Sequence, residues 1–106
     1  MNKFMRILIM FDLPTKTKND RRNASRFRAY LIKDGYIMLQ WSVYSRLCDG
    51  MDSVQTHKNR LNKNMPPLGE IRVLTLTEKQ YESIEILLGG KNKNGADQPA
   101  CAIELF

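Results

Sequence analysis

Five consecutive apolar residues, Ile7-Leu8-Ile9-Met10-Phe11, end at Asp12-Leu13-Pro14. A short run without polar alternation predicts a strand buried on both faces, hence central in a sheet, and Pro14 punctuates it. Thr15 or Thr17 can cap a helix running to about Asp34. Ala24, Phe27 and Leu31 form its apolar stripe, while Lys18, Arg22, Arg26 and Lys33 point the other way. Arg21 and Arg28 flank the stripe, and Gly35 is placed to end the helix.

Tyr36 to Leu47 alternates with period two, which predicts one long strand. One face carries Ile37, Leu39, Trp41 and Val43. The other carries Tyr36, Met38, Gln40, Ser42 and Tyr44, an aromatic, half-polar face suited to cover by a second subunit. A second helix, started by Asp49 or Asp52, runs to about Asn64 with Met51, Val54, Leu61 and Met65 as a weaker stripe, and Met65-Pro66-Pro67 stops it. Ile71 to Thr77 reads as a strand, and Glu78 to Tyr81 as one helical turn. Ser83 to Leu88 reads as a further strand with Ile84, Ile86 and Leu88 inward, its β-branched residues and the Gly89-Gly90 stop favouring strand over helix. Residues 89–98 are a Gly/Asn/Lys loop, and Ala100 to Phe106 is a short apolar tail of strand type.

The order strand-helix-strand-helix-strand-strand predicts an α+β, ferredoxin-like βαββαβ-type sandwich. The domain covers residues 1–90, and residues 91–106 form a loop and a C-terminal strand that extends a sheet edge, the partner's by preference. Both helices fall on one sheet face, so the other is bare and a homodimer is expected to bury it.

Charge adds a partner. The chain has 106 residues and a net charge of +6, with 42% hydrophobic and 26% charged residues, which excludes a disordered chain. Residues 1–63 hold 13 basic and 5 acidic side chains, and residues 64–106 hold 4 and 6. The densest stretch contains Lys16, Lys18, Arg21, Arg22, Arg26 and Arg28 against Asp20 alone, which points to a polyanion such as nucleic acid rather than a merely solvated helix face. No apolar run approaches the roughly 18 residues of a membrane span, and the N-terminus has no signal-peptide pattern. Cys48 and Cys101 lie far apart without metal-ligand spacing, so zinc and a disulfide framework are not expected and a reducing cytoplasm is.

Candidate chemistry centres on Asp12, a carboxylate where a buried strand emerges, in a chain expected to bind an anion. Two readings stand. Asp12 caps the turn that follows it, or it holds a divalent cation that takes one or two carboxylates plus phosphate oxygens and water. A twofold axis beside this strand would pair Asp12 with its symmetry mate. Ser42 is a phosphate contact or an interface hydroxyl. Tyr30, Tyr36 and Tyr44 stack on bases or, by preference, pack in the core or interface. His57 reads as a solvated helix histidine, and Met51 and Met65 as core fillers. The glycine-rich loop lacks a P-loop signature.

Several segments together resemble one family: Ile9-Met10-Phe11-Asp12-Leu13-Pro14, Phe27-Arg28 through Leu31, Gly35 and Tyr36, Met38-Leu39-Gln40-Trp41-Ser42-Val43-Tyr44, and Leu74-Thr75-Leu76-Thr77-Glu78-Lys79-Gln80. This pattern is similar to the CRISPR-associated protein 2 family, the small subunit of the CRISPR spacer-acquisition machinery, and most like members from single-effector (type II-A-like) systems. The resemblance implies a ferredoxin-like homodimer with facing sheets. It also implies endonuclease activity dependent on Mg²⁺ (or Mn²⁺) shared between the Asp12 residues of two subunits, on RNA or DNA. In spacer acquisition it implies a scaffold that bridges CRISPR integrase subunit dimers and contacts duplex DNA through Lys16, Lys18, Arg21, Arg22, Arg26 and Arg28. Many members have Tyr where this chain has Phe11, and an acid where it has Ser45, so the site here is poorer in acids. The rival functions are a stand-alone metal-dependent nuclease and a small-ligand regulatory module.

Overall fold

A computed structural model of the chain describes residues 3–89. Its elements are β1 (Met5–Asp12), α1 (Lys18–Lys33), β2 (Ile37–Gln40), β3 (Val43–Cys48), α2 (Met51–Lys63), β4 (Glu70–Thr77) and α3 (Glu78–Glu82). The sheet order is β2-β3-β1-β4, with every neighbouring pair antiparallel. This is the α+β, ferredoxin-like arrangement, but its elements are distributed differently from the sequence reading.

The single strand expected from Tyr36 to Leu47 is a hairpin. Gln40 pairs with Val43, so the chain reverses at Trp41-Ser42, with a bulge between Met38 and Gln40. Ser42 has φ +73°, the left-handed region that two-residue turns usually fill with Gly or Asn. A Trp-Ser turn carries no such signal, and the alternation runs straight through it. The faces are also exchanged. Tyr36 and Tyr44 are buried in the core, while Ile37 and Leu39 are exposed on the opposite face.

Residues Ile7, Ile9 and Phe11 of β1 face the helices and meet Phe27 and Leu31 of α1 and Val54 and Leu61 of α2 in one core. Burying each aliphatic side chain contributes on the order of 2 kcal/mol. Leu8 and Met10 point to the other face and are only half-buried, so β1 is not covered equally on both sides. Thr17 caps α1 in a capping box with Asp20, its Oγ1 accepting from the Asp20 N–H and Asp20 Oδ2 from the Thr17 N–H.

Two further expectations on α2 are corrected. Gly50 occupies the cap position, and neither Asp49 nor Asp52 caps the helix. His57 is not solvated. It lies in register with Val54 and Leu61, three residues after one and four before the other, so the helix turns it inward. Buried there, it hydrogen-bonds through Nδ1 to Asp34 Oδ2 at 2.8 Å. Met51 and Met65 are exposed instead of filling the core.

Asp34, just past α1, is the hub of this end. Its carboxylate accepts from Arg60 at 2.7 Å and from the Tyr30 hydroxyl at 3.4 Å, and its carbonyl accepts from Arg46 Nε at 2.8 Å. Gly35 follows with φ +94°, and a Cβ there would press against the Arg46 guanidinium. Burial and the Asp34 charge push the Tyr30 phenol up to about 12. Burial also pushes the Tyr36 phenol up, and its hydroxyl has no hydrogen-bond partner among the described residues.

Residues Ser83 to Leu88 form no strand. They pair with neither open edge of the sheet among the described residues, and Ile86, Leu87 and Leu88 are 82%, 85% and 75% exposed. The loop and tail strand expected beyond them lie outside the described residues. The helical turn at Glu78 is present as α3, with its own Thr77–Gln80 capping box. It folds over one end of the bare face: Arg6 Nε donates to Glu78 at 2.7 Å and stacks over the Tyr81 ring at 4.2 Å, and the Tyr81 and Ser45 hydroxyls are 3.3 Å apart. Ile37, Leu39, Leu47 and Leu74 stay exposed on that face.

Asp34→Asn removes the charge that His57 and Arg60 share. Arg60 is 55% exposed, so most of the loss comes through His57. Urea unfolding at neutral pH is expected to show destabilisation of about 2 kcal/mol. Burial pushes the Asp34 carboxyl up, but the hydrogen bonds from His57 and Arg60 outweigh it and hold the group below its ordinary 3.8. A carboxyl depressed in this way contributes stability above its ordinary value and loses it as pH falls through its folded value. The gap between wild type and Asp34→Asn should close on acidification below pH 3.8. A gap unchanged by acid would remove the charge from the explanation.

Candidate nucleic-acid and metal site

The site residues gather where β1 ends, where the β2–β3 hairpin turns and where α1 begins. Asp12 is the last residue of β1 and is exposed. Its carboxylate makes no hydrogen bond or ion pair among the described residues, so it does not cap the turn that follows it, and the cap of α1 is Thr17. In the sheet register Asp12 sits opposite Glu70 of β4. Glu70 reaches Arg72 only through long contacts of 3.4 Å between two largely exposed side chains, which contribute little. Two carboxylates facing each other across a strand pair repel. Among the described residues, no three His, Cys, Asp or Glu side chains are grouped to hold a metal ion.

Gly69 sets the backbone under this corner. Its φ is +107°, and an added Cβ would lie 2.5 Å from Leu13 Cδ2 and 2.9 Å from the Asp12 carbonyl oxygen. Only a residue without a side chain lets β4 start this close to the end of β1.

The α1 cations divide by environment. Lys16, Lys18, Arg22 and Arg26 are exposed and form no ion pair among the described residues. Arg21 is exposed too, but donates to the Thr15 and Lys16 carbonyls at 3.0 and 3.1 Å and so ties the connecting segment to the helix. Arg28 is half-buried and turned inward. It donates to Ser42 Oγ at 2.9 Å and the Tyr44 hydroxyl at 3.4 Å, and lies 5.0 Å over the Phe11 ring and 3.6 Å over the Trp41 ring. Tyr44 stacks on Phe11 with centroids 5.7 Å apart. Ser42 in turn accepts the Phe11 N–H at its carbonyl, at 3.1 Å. Ser42 and Tyr44 are therefore joined to Arg28, and the cluster braces the residue before Asp12. The charges that remain outward are those of Lys16, Lys18, Arg22 and Arg26.

His57 and Asp34 stand at the other end of α1, a helix of 16 residues, about 24 Å away along its axis, so the one histidine of the chain is not a proton carrier for Asp12. Sequence reasoning missed Glu70 as the register partner of Asp12 and Trp41 as a turn residue against Arg28. Glu70 had no signal, because only the β1–β4 register brings it there. Trp41 was counted as an alternating strand position, when it is a turn residue.

The model for the family described as CRISPR associated protein Cas2 matches residues 5–84. The chain belongs to this family. Among its relatives, a protein of Campylobacter jejuni subsp. jejuni is 52% identical over 89 residues, which cover 84% of this chain but 62% of that protein, less than two thirds of its length. One from Acidovorax ebreus is 51% identical over 80% of this chain and 83% of its own. One from Parvibaculum lavamentivorans is 38% identical over 96% of this chain and the whole of its own. Each of these three is named a CRISPR-associated endoribonuclease Cas2. The family match ends before the Leu87-Leu88 pair and includes the whole Asp12 corner. Among the described residues no helix is long and apolar enough to cross a membrane.

Gly69→Ala should move the Asp12 corner, because backbone must yield to the new Cβ. Thermal unfolding is expected to report a loss of about 1–3 kcal/mol, while Gly50→Ala, with open space at its Cβ, costs less. Equal losses at the two glycines would remove the close approach as the cause.

Proposed function

We propose that the chain is the nucleic-acid-binding subunit of CRISPR spacer acquisition. It works as a homodimer that lies along duplex DNA and bridges dimers of the integrase subunit. The observation that carries this reading is the outer side of α1, where Lys18, Arg22 and Arg26 are exposed and unpaired among the described residues. Unneutralised cations along one helix release counterions when they meet phosphates, a term that favours any nucleic-acid backbone and rises as salt falls. The second copy fits the bare sheet face, where Ile37, Leu39, Leu47 and Leu74 leave an apolar surface that water disfavours. The exposed apolar segment from Ile84 to Leu88, which is not a strand in the single chain, would pair with a sheet edge in such a dimer. The buried free thiol of Cys48 suits a reducing cytoplasm.

A second reading, phosphodiester cleavage, is favoured by Asp12 itself and by the endoribonuclease name of the relatives. An exposed carboxylate with no internal partner is a suitable ligand for Mg²⁺ or Mn²⁺, which accept one or two carboxylates and complete their shell with water and phosphate oxygens. The Asp12 carboxylates of two subunits would hold the ion across the dimer axis. When bound it supplies Lewis acidity and orientation for attack on a phosphodiester. The chain's own contribution is placement: Arg28 and Ser42 fix Phe11, Gly69 fixes the approach of β4, and the α1 cations hold the backbone to be cut.

In filter binding with duplex DNA, Arg22→Glu and Arg26→Glu should each weaken affinity several-fold and lower the slope against log salt by about 1. An unchanged slope would turn the reading away from α1. Asp12→Ala in highly purified protein should abolish Mg²⁺-dependent cleavage while leaving DNA affinity and the dimer intact. Cleavage surviving that substitution would assign the activity to another site.

A further inference from the structure

Trp41 is the only tryptophan of the chain. It is 73% exposed, at the tip of the β2–β3 turn. An indole so exposed leaves a large apolar area in water, and the fold holds it there deliberately. One side rests on the Arg28 guanidinium at 3.6 Å, and that guanidinium is fastened by Ser42 Oγ, the Tyr44 hydroxyl and the Phe11 ring. The neighbouring turn residue, Ser42, is kept at φ +73° while its carbonyl holds the Phe11 N–H. The ring therefore stands on the turn whose next residue, Ser42, is bonded to Phe11, the residue before Asp12.

We propose that Trp41, backed by Arg28, is a stacking platform for an unpaired nucleobase next to Asp12. This rests on the nucleic-acid reading above and adds to it a preference for single-stranded segments. The chemistry selects the occupant. A flat aromatic face stiffened by a cation stacks with any base, and the paired bases inside a duplex have no free face to offer. A second copy of the chain is a poorer occupant. Arg28 and Phe11 lie on the helix side of the sheet, whereas Ile37, Leu39, Leu47 and Leu74 line the opposite, bare face.

The single tryptophan is its own reporter. Full-length protein is titrated with a short single-stranded oligonucleotide, made as DNA and as RNA, and with a blunt duplex of the same sequence. Trp41 emission should be quenched by a single strand and little changed by the duplex, the DNA and RNA arms showing which backbone carries the base. Trp41→Ala should bind the single strand about tenfold more weakly, keep its duplex affinity and unfold at the wild-type temperature, and Trp41→Phe should restore most single-strand binding. Equal single-strand affinity of wild type and Trp41→Ala would overturn the platform while leaving duplex binding standing. An emission change on dilution alone, with none on adding oligonucleotide, would also overturn it and assign the ring to contact between copies. Failure of the wild type to bind either nucleic acid would sink this proposal and the nucleic-acid reading together.

Discussion

The structure depends on one constraint: a four-stranded antiparallel sheet receives its two long helices on one face. β1 runs between β3 and β4, and its odd-numbered side chains enter the core while its even-numbered ones face the bare side. β1 is thus hydrogen-bonded on both sides, and Asp12 is its last residue. Placing a carboxylate at the end of that strand gives it a backbone held by β4 through Glu70, directly after residues that both neighbours hold, with an exposed side chain.

Around that strand end, positive charge has two jobs that composition alone merges. Arg22 and Arg26 stand outward, where an uncompensated guanidinium costs little and attracts phosphate from a distance. Arg28, two residues further on, turns inward because the helix carries it toward the Phe11 ring, and there its planar fork satisfies Ser42 and Tyr44 while its faces meet two aromatic rings. A lysine could fill the first job but not the second, since it lacks both the fork and the plane. The cationic helix thus carries an outward ridge of charge and an inward clamp, and the clamp connects the hairpin turn to the strand that bears Asp12.

The opposite end of α1 carries a different polar cluster with a structural purpose. Asp34 gathers His57, Arg60 and Tyr30 on its carboxylate and Arg46 on its carbonyl, joining α1, α2 and β3 where the chain leaves the helix. His57 looked like a surface residue because its sequence neighbours Thr56 and Lys58 are polar. Its partner lies 23 positions away, and only helix packing brings the two together. Such a buried polar contact is invisible to periodicity, which scores a histidine as polar wherever it stands.

Local patterns carried much of this protein. The Ile7–Phe11 run, the Ala24–Phe27–Leu31 stripe, a threonine cap before α1, the helical turn at Glu78 and Gly35 are short-range features, each governed by residues within a few positions, and they led to the ferredoxin-like class, to a basic α1 and to Asp12 as the residue of interest. Other features required chain segments remote in sequence to meet. The Trp41-Ser42 turn forms without glycine or asparagine because Arg28 and Phe11 hold a conformation that Ser42 does not favour alone. Glu70 faces Asp12 through strand register, and the stretch from Ser83 to Leu88 has strand chemistry but pairs with no strand among the described residues. Local propensity is a property of neighbouring residues, whereas pairing, burial and strain belong to the partners that folding supplies.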